Sequence, residues 1–309
     1  MIYTVTLNPA IDKTVVIENF TAGDVNRVVS VREDAGGKGI NVSKCLKKLG
    51  ADTEAVVVLA GETGKRLSKM LDSMQIHMLR VDSQGENRTN LKIVDPVKGT
   101  NTDINEPGPV IDAQLLENLK KKLGKSVGKG DIVVLSGGLP AGVDKGLYGE
   151  WIRYFRSHEA SVLLDVDGEP LRRAIDALPY MIKPNDEELA AFVGKETLTR
   201  EEMIAEGKRL HEMGIPEVVI SLGGDGALFI SEDGCFHAEA LKVPVKSTVG
   251  AGDSIVAAMV YGKKMKLGRE EKIRLCIAMG AASVMQSGTQ PPEAELVWEL
   301  AKQVSVTKL

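Results

Sequence analysis

TVGAGDSIVAAMVYG, residues 248–262, is the stretch whose reading decides the fold. Three residues with next to no side chain, Gly250, Ala251 and Gly252, run straight into an apolar segment of helical length, with Asp253 and Ser254 in its first turn. The first N–H groups of a helix have no partner within it, and the macrodipole places partial positive charge there. With no side chains in the way, such a bend can receive an anion on its backbone amides. Asp253, beside it, can accept a proton from a hydroxyl whose oxygen attacks phosphorus. Read as structure alone, the same stretch is a tight turn with an aspartate capping the helix.

Working outward, short apolar runs at 2–7, 55–59, 132–135, 162–164, 180–182 and 218–220 alternate with helical periods. The helical segments lie at 39–49, 62–74, 112–123, 145–157, 186–193 and 200–213, and the end is helical at 251–265, 270–286 and 293–303. Continuous apolar runs of this kind suit strands buried on both faces of a parallel sheet, joined by right-handed crossovers. In the helix at 39–49, Ile40, Val42, Leu46 and Leu49 are expected to face inward and Lys44, Lys47 and Lys48 outward. Two stretches, 13–32 and 87–104, have no helical period and read as paired extended segments. They predict a small β appendage over one edge of the main sheet, and so one α/β domain over 1–309 with a β lid inserted from about 13–34 and 87–104.

Composition narrows the function classes. Lysine plus arginine total 39 against 43 acidic residues, a net charge of −4, which disfavours a nucleic-acid binder. No apolar run approaches the roughly 18 residues a membrane helix needs, and the opening MIYTVTLNP lacks the parts of an export signal. Cys45, Cys235 and Cys276 are far apart, so neither disulfides nor a zinc ribbon is expected, and a reducing, cytoplasmic setting follows. The four histidines form no H-x-x-x-H pair.

Further glycine-rich loops follow strands, where an open parallel sheet keeps its ligand crevice. AGGKGIN, 35–41, opens a helix and offers Lys38 as a point charge and Asn41 as donor and acceptor; its plain alternative is a flexible turn with a surface lysine. LSGGLP, 135–140, places Ser136 at a strand end. KPNDEE, 183–188, puts Asn185 and Glu188 on one helix face, where they could hold a hydrated Mg²⁺ or simply form a capping box. SLGGDG, 221–226, is a hairpin turn whose glycines expose backbone to a nucleotide. Asp12, in TLNPAID, could bind sugar hydroxyls or be a turn carboxylate, and Arg88 could clamp a phosphate or be a solvated arginine. There is no P-loop, G-x-G-x-x-G or G-x-S-x-G.

Taken together and in order, TLNPAID, GGKGIN at 36–41, SGGLP at 136–140, KPNxxE at 183–188, SLGGDGA at 221–227 and TVGAGDS at 248–254 resemble the PfkB branch of the ribokinase superfamily over nearly the whole chain. Lys38 and the ending VSVTKL are most similar to the 1-phosphofructokinase and tagatose-6-phosphate kinase group. The resemblance implies a three-layer αβα ribokinase-like fold with a mainly parallel central sheet and a small β-sheet lid that also forms a homodimer contact. It implies ATP with Mg²⁺ as donor, in some relatives a monovalent cation such as K⁺, and a phosphoketohexose as acceptor. The implied reaction is fructose 1-phosphate plus ATP giving fructose 1,6-bisphosphate plus ADP, with tagatose 6-phosphate or fructose 6-phosphate as alternative acceptors.

By motif, Asp253 would be the base and Gly250, Ala251 and Gly252 the anion hole. Asp12, Gly37, Lys38, Asn41, Arg88 and Ser136 would meet the phosphosugar, with Arg27 a further lid contact. Lys183, Asn185, Ser221, Gly223, Gly224, Asp225, Gly226 and Gly252 would meet ATP, and Glu188 would hold Mg²⁺ through water. Three positions depart from the family's usual pattern: Gly138 and Asp167 where serine is common, and Gln286 where asparagine is common.

Overall fold

A computed structural model describes residues 1–309. The chain opens with β1 (Ile2–Thr6), then β2 (Ala10–Val16) and β3 (Ser30–Gly36), which leave the main sheet. Helix α1 (Lys38–Lys48) leads to β4 (Glu54–Ala60), α2 (Gly61–Ser73) and β5 (His77–Ser83). Two strands, β6 (Arg88–Asp95) and β7 (Thr100–Asn105), again depart. The alternation resumes with α3 (Ala113–Gly124), β8 (Ile132–Ser136), α4 (Leu147–Ser157), β9 (Ser161–Asp165) and α5 (Gly168–Ala174). Then come β10 (Met181–Ile182), α6 (Asp186–Phe192), α7 (Arg200–Glu212) and β11 (Glu217–Ser221). β12 (Ala227–Ser231) and β13 (Gly234–Ala238) precede α8 (Ala251–Met265), α9 (Arg269–Val284), α10 (Ala294–Ala301) and β14 (Val306–Lys308).

Ten strands form the main sheet in the order β14-β13-β12-β11-β10-β9-β8-β1-β4-β5; it is parallel from β11 to β5 and antiparallel beyond. Why the central strands are apolar at every position is visible in β8. Val133 and Leu135 pack on the face covered by Tyr148, Trp151 and Phe155 of α4. Ile132 and Val134 pack on the other, with Val256 and Val260 of α8 and Ile273 of α9. Successive residues of a strand point to opposite faces, so a strand between two helical layers must be apolar on both. No helix is long and apolar enough to cross a membrane.

The second sheet has four strands in the order β3-β2-β6-β7, with β2 and β6 parallel. Ala10, Asp12 and Thr14 pair with Arg88, Asn90 and Lys92, so Asp12, Thr14, Arg88, Asn90 and Lys92 share one polar face. Val15 pairs with Val31 and Ile93, and Leu91 with Ile104, giving the opposite face an apolar patch beside Lys13, Glu33 and Thr102. Asp12 thus sits within a strand, and that strand begins three residues earlier than the extended period suggests.

Several expectations need correction. Lys44 does not face outward: it is 3% exposed and donates to the Ala35 carbonyl at 2.8 Å and to Thr289 Oγ1 at 3.2 Å. α8 packs across α1 and, together with the Thr289 loop, closes over the face a lone amphipathic helix would give to solvent. Helix α9 stops at Val284, two residues short of the expected end. β5, α5 and β14 were not foreseen, and the VSVTKL ending is itself an edge strand paired with β13.

Candidate active site

The bend before α8 leaves backbone amides free, an arrangement that can receive an anion. Gly250 caps the helix at φ +83°, in the left-handed region that only glycine enters freely. The N–H of Ala251 reaches the Thr248 carbonyl at a long 3.4 Å, while those of Gly252 and Asp253 have no acceptor within the protein. Space here is tight as well: a Cβ on residue 252 would stand 3.1 Å from Lys183 Nζ. The ammonium of Lys183 therefore lies against the amide cradle.

Asp253 projects into the same place, 7% exposed, and accepts a hydrogen bond from Asn41 Nδ2 at 2.8 Å. Burial, together with the charge of Asp165, pushes its carboxyl up to about 6, against the pull of Lys38, Asn41 and Lys183. It is thus ionised near neutral pH but still basic enough to take a proton, which is how a general base is tuned.

Asp165 was not singled out by the sequence reading. It ends β9, is 2% exposed, and stands 3.2 Å from Lys183 Nζ and 3.4 Å from Lys38 Nζ. Burial works against its charge, but the two lysines hold its carboxyl below the usual range. In turn it raises the Lys38 ammonium, more than burial lowers it. The one signal was a carboxylate directly after the apolar run VLL, at the carboxyl end of a parallel strand.

All these groups line one cleft of about 710 Å³ between the carboxyl ends of the main strands and the polar face of the small sheet. On the small-sheet side are Asp12, Gly37, Arg88 and two residues the sequence reading missed, Asn90 and Lys92. Asp12 is 6% exposed, accepts from Asn90 Nδ2 at 3.0 Å, and has its carboxyl raised by burial. Arg88 donates to the Glu106 carbonyl at 3.2 Å, while its buried Nε has no partner. Lys92 lies four positions on, within 3.1 Å of Asp103. Strand alternation puts both cations on the cleft face.

At the other end the cleft is lined by Ser221, Gly223, Gly224 and Gly226, the turn between antiparallel β11 and β12. Leu241, Val243, Ile277 and Ala281 add an apolar slot that no motif signalled. Asn185 and Glu188 form the capping box, at 2.6 and 2.9 Å, and also line the cleft. That box occupies only Oε2 of Glu188.

Three expected residues are not in the wall. Arg27 is exposed in the connection between β2 and β3, Asp225 is exposed with its carbonyl 2.9 Å from His237 Nε2, and Ser136 is buried at the end of β8 with an unpartnered Oγ.

Known proteins resemble the chain in sequence and in fold. The pfkB family carbohydrate kinase profile matches residues 5–296. The chain is 35% identical over 311 residues to the 1-phosphofructokinase of Bacillus subtilis strain 168, covering the whole of both. Its fold superposes on Escherichia coli phosphofructokinase-2 in complex with fructose-6-phosphate with a TM-score of 0.91 at 26% identity, covering 98% of each chain. The same enzyme in complex with potassium gives 0.92 at 27% identity, again over 98% of each. The expected ribokinase-like architecture is therefore the observed one, and the chain belongs to the pfkB family of carbohydrate kinases.

Proposed function

We propose that this sugar-phosphate kinase is a 1-phosphofructokinase, moving the γ-phosphoryl group of ATP to the free primary hydroxyl of fructose 1-phosphate. The observation that carries the reading is the pairing of Asp253, buried and held by Asn41, with the free amides of Gly252 and Asp253 in one cleft. The Bacillus relative's activity supports the choice of sugar.

In this reading the phosphosugar enters under the small sheet. Asp12 and Asn90 take its hydroxyls, and Arg88 and Lys92 its phosphate. Asp253 orients the acceptor hydroxyl and removes its proton as the oxygen attacks, worth about 10²–10⁴-fold. The amides at the α8 terminus receive the migrating group; one such donor is worth roughly 3–4 kcal/mol. The glycine turn at 223–226 and the apolar slot beside it take the nucleotide. Mg²⁺ fits a site with one free carboxylate oxygen, on Glu188, because it keeps several waters and binds phosphate oxygens. When bound, it neutralises charge on those oxygens. A K⁺ ion beside the anion hole belongs to the same reading, on the strength of the potassium complex of the Escherichia coli enzyme.

The small sheet serves as a lid, excluding water that would compete for the phosphoryl group. Its outer face carries Val31 and Ile104, 55% and 51% exposed, and a second copy's lid is the partner that face suits. Three buried free thiols fit a reducing, cytoplasmic setting.

The test is ADP release with fructose 1-phosphate, tagatose 6-phosphate and fructose 6-phosphate. The expected kcat/KM for fructose 1-phosphate exceeds the others by at least about tenfold, roughly 1.4 kcal/mol. A preference for either other sugar reassigns the substrate, and ATP binding without turnover of any sugar refutes the kinase reading.

A further inference from the structure

We propose that Asp165 is a positioning residue: its single buried carboxylate holds Lys38, from the acceptor side, and Lys183, from the donor side, together at the point where the phosphoryl group crosses to the sugar. The proposal rests on the kinase reading of the cleft and goes beyond it, because it assigns Asp165 a function and changes that of Lys38.

The two lysines come from different parts of the chain. Lys38 begins α1 directly after the Gly36–Gly37 bend, and Lys183 follows β10. Each meets one oxygen of Asp165, at 3.4 and 3.2 Å. Those distances are long for charge-assisted bonds, which run about 2.7–2.9 Å. These contacts are ion pairs, not hydrogen bonds: Asp165 Oδ2, facing Lys38, is buried without a hydrogen-bond partner, and neither ammonium donates elsewhere in the protein. An ammonium has three donors, so each keeps at least two for something else. Lys183 is 6% exposed, so its unused donors cannot simply be left to bulk water. Both side chains line the cleft, and Lys183 Nζ is a methyl group's width from residue 252 of the amide cradle. An anion with several oxygens, seated on that cradle, would use the free donors.

Two ammonium groups this close repel unless a carboxylate lies between them. Asp165 is that carboxylate, and it ends a strand buried between both helical layers, so its place is fixed by the sheet. It also stiffens the charge around Asp253, which is faced by Lys38, Lys44 and the Cys45 thiol from α1, by Asp165 from β9 and by Lys183 after β10. One consequence concerns the expected role of Lys38. If it is held here, it serves the migrating phosphoryl group, and recognition of the acceptor's own phosphate falls to Arg88 and Lys92.

The experiment uses the full-length protein with fructose 1-phosphate and ATP, in Asp165→Asn, Lys38→Met, the double variant and Asp165→Glu. Asp165→Asn is expected to lower kcat by at least about thirtyfold while KM for the sugar phosphate stays within about threefold. The acidic limb of its kcat/KM profile moves to lower pH, because a negative neighbour of Asp253 is gone and the freed lysines turn toward it. Lys38→Met lowers kcat with little change in KM, and the double variant loses no more than about the larger single loss, as residues acting as one unit do. Asp165→Glu restores part of kcat.

Near-normal kcat in Asp165→Asn, an unmoved acidic limb, or losses that multiply in the double variant overturn the proposal. Should Asp165→Asn fail to fold, Lys38→Met decides alone, since its side chain is one-third exposed: a raised KM with unchanged kcat refutes the assignment. A wild-type protein that turns over no phosphoketohexose refutes instead the kinase reading beneath it.

Discussion

Replacing Gly252 by alanine separates activity from stability at one atom. Residue 252 lies in the first turn of α8 without positive φ, so alanine meets no backbone strain there. In a helix it is favoured over glycine by up to about 1 kcal/mol. The added Cβ, however, would stand 3.1 Å from Lys183 Nζ and 3.6 Å from its Cε. Lys183 has little room to retreat: its side chain is 5% exposed, with Asp165 3.2 Å from the ammonium. The ammonium must therefore give by a few tenths of an ångström, and the methyl group takes up part of the cradle itself. Loss of one donor to a developing oxyanion costs about 10²–10³ in kcat. The assay is coupled ADP release with fructose 1-phosphate, alongside a thermal melt. The expected result is a kcat at least about a hundredfold lower with a melting temperature equal to or about 1–2 °C above wild type. A variant with kcat within about threefold of wild type would refute the placement of the migrating group at these amides.

Arg88→Ala and Lys92→Ala should each raise KM for the sugar phosphate by at least about tenfold, with KM for ATP unchanged, in steady-state kinetics. Folded Asp253 holds its proton more tightly than the unfolded chain does, so the stability it contributes is complete below about pH 4 and lost as pH rises through about 6. Asp253→Asn should therefore melt above wild type at pH 8, by a difference on the order of 2 kcal/mol, and level with it at pH 4. Under the proposed lid-to-lid pairing, wild type should sediment as a dimer and Val31→Glu with Ile104→Glu as a monomer, since both side chains are exposed on one face of the small sheet.

The main sheet was legible because its central strands are apolar at every position, a pattern that needs helices on both faces. The proposed anion cradle was legible because Gly250, Ala251 and Gly252 have almost nothing beyond backbone. What stayed hidden depends on contacts distant in sequence. Lys44 reads as the solvent side of an amphipathic helix until α8 and the Thr289 loop cover it. Asp165 looks like any acidic residue after a strand, and only the arrival of lysines from positions 38 and 183 gives it meaning. Lys92 alternates along an extended segment as a surface residue would, and faces the cleft because β6 pairs in parallel with β2. The reverse happened at Arg27, Asp225 and Ser136, where motif matching named residues that the cleft wall does not include.

The most direct test of the account is single-turnover phosphoryl transfer by Asp253→Asn, with saturating fructose 1-phosphate and ATP. Asparagine keeps the shape of the side chain but cannot take the hydroxyl proton. The account predicts a transfer rate at least about a hundredfold below wild type in a protein that is folded and binds both substrates normally. A folded variant that transfers the phosphoryl group within about threefold of the wild-type rate would contradict it.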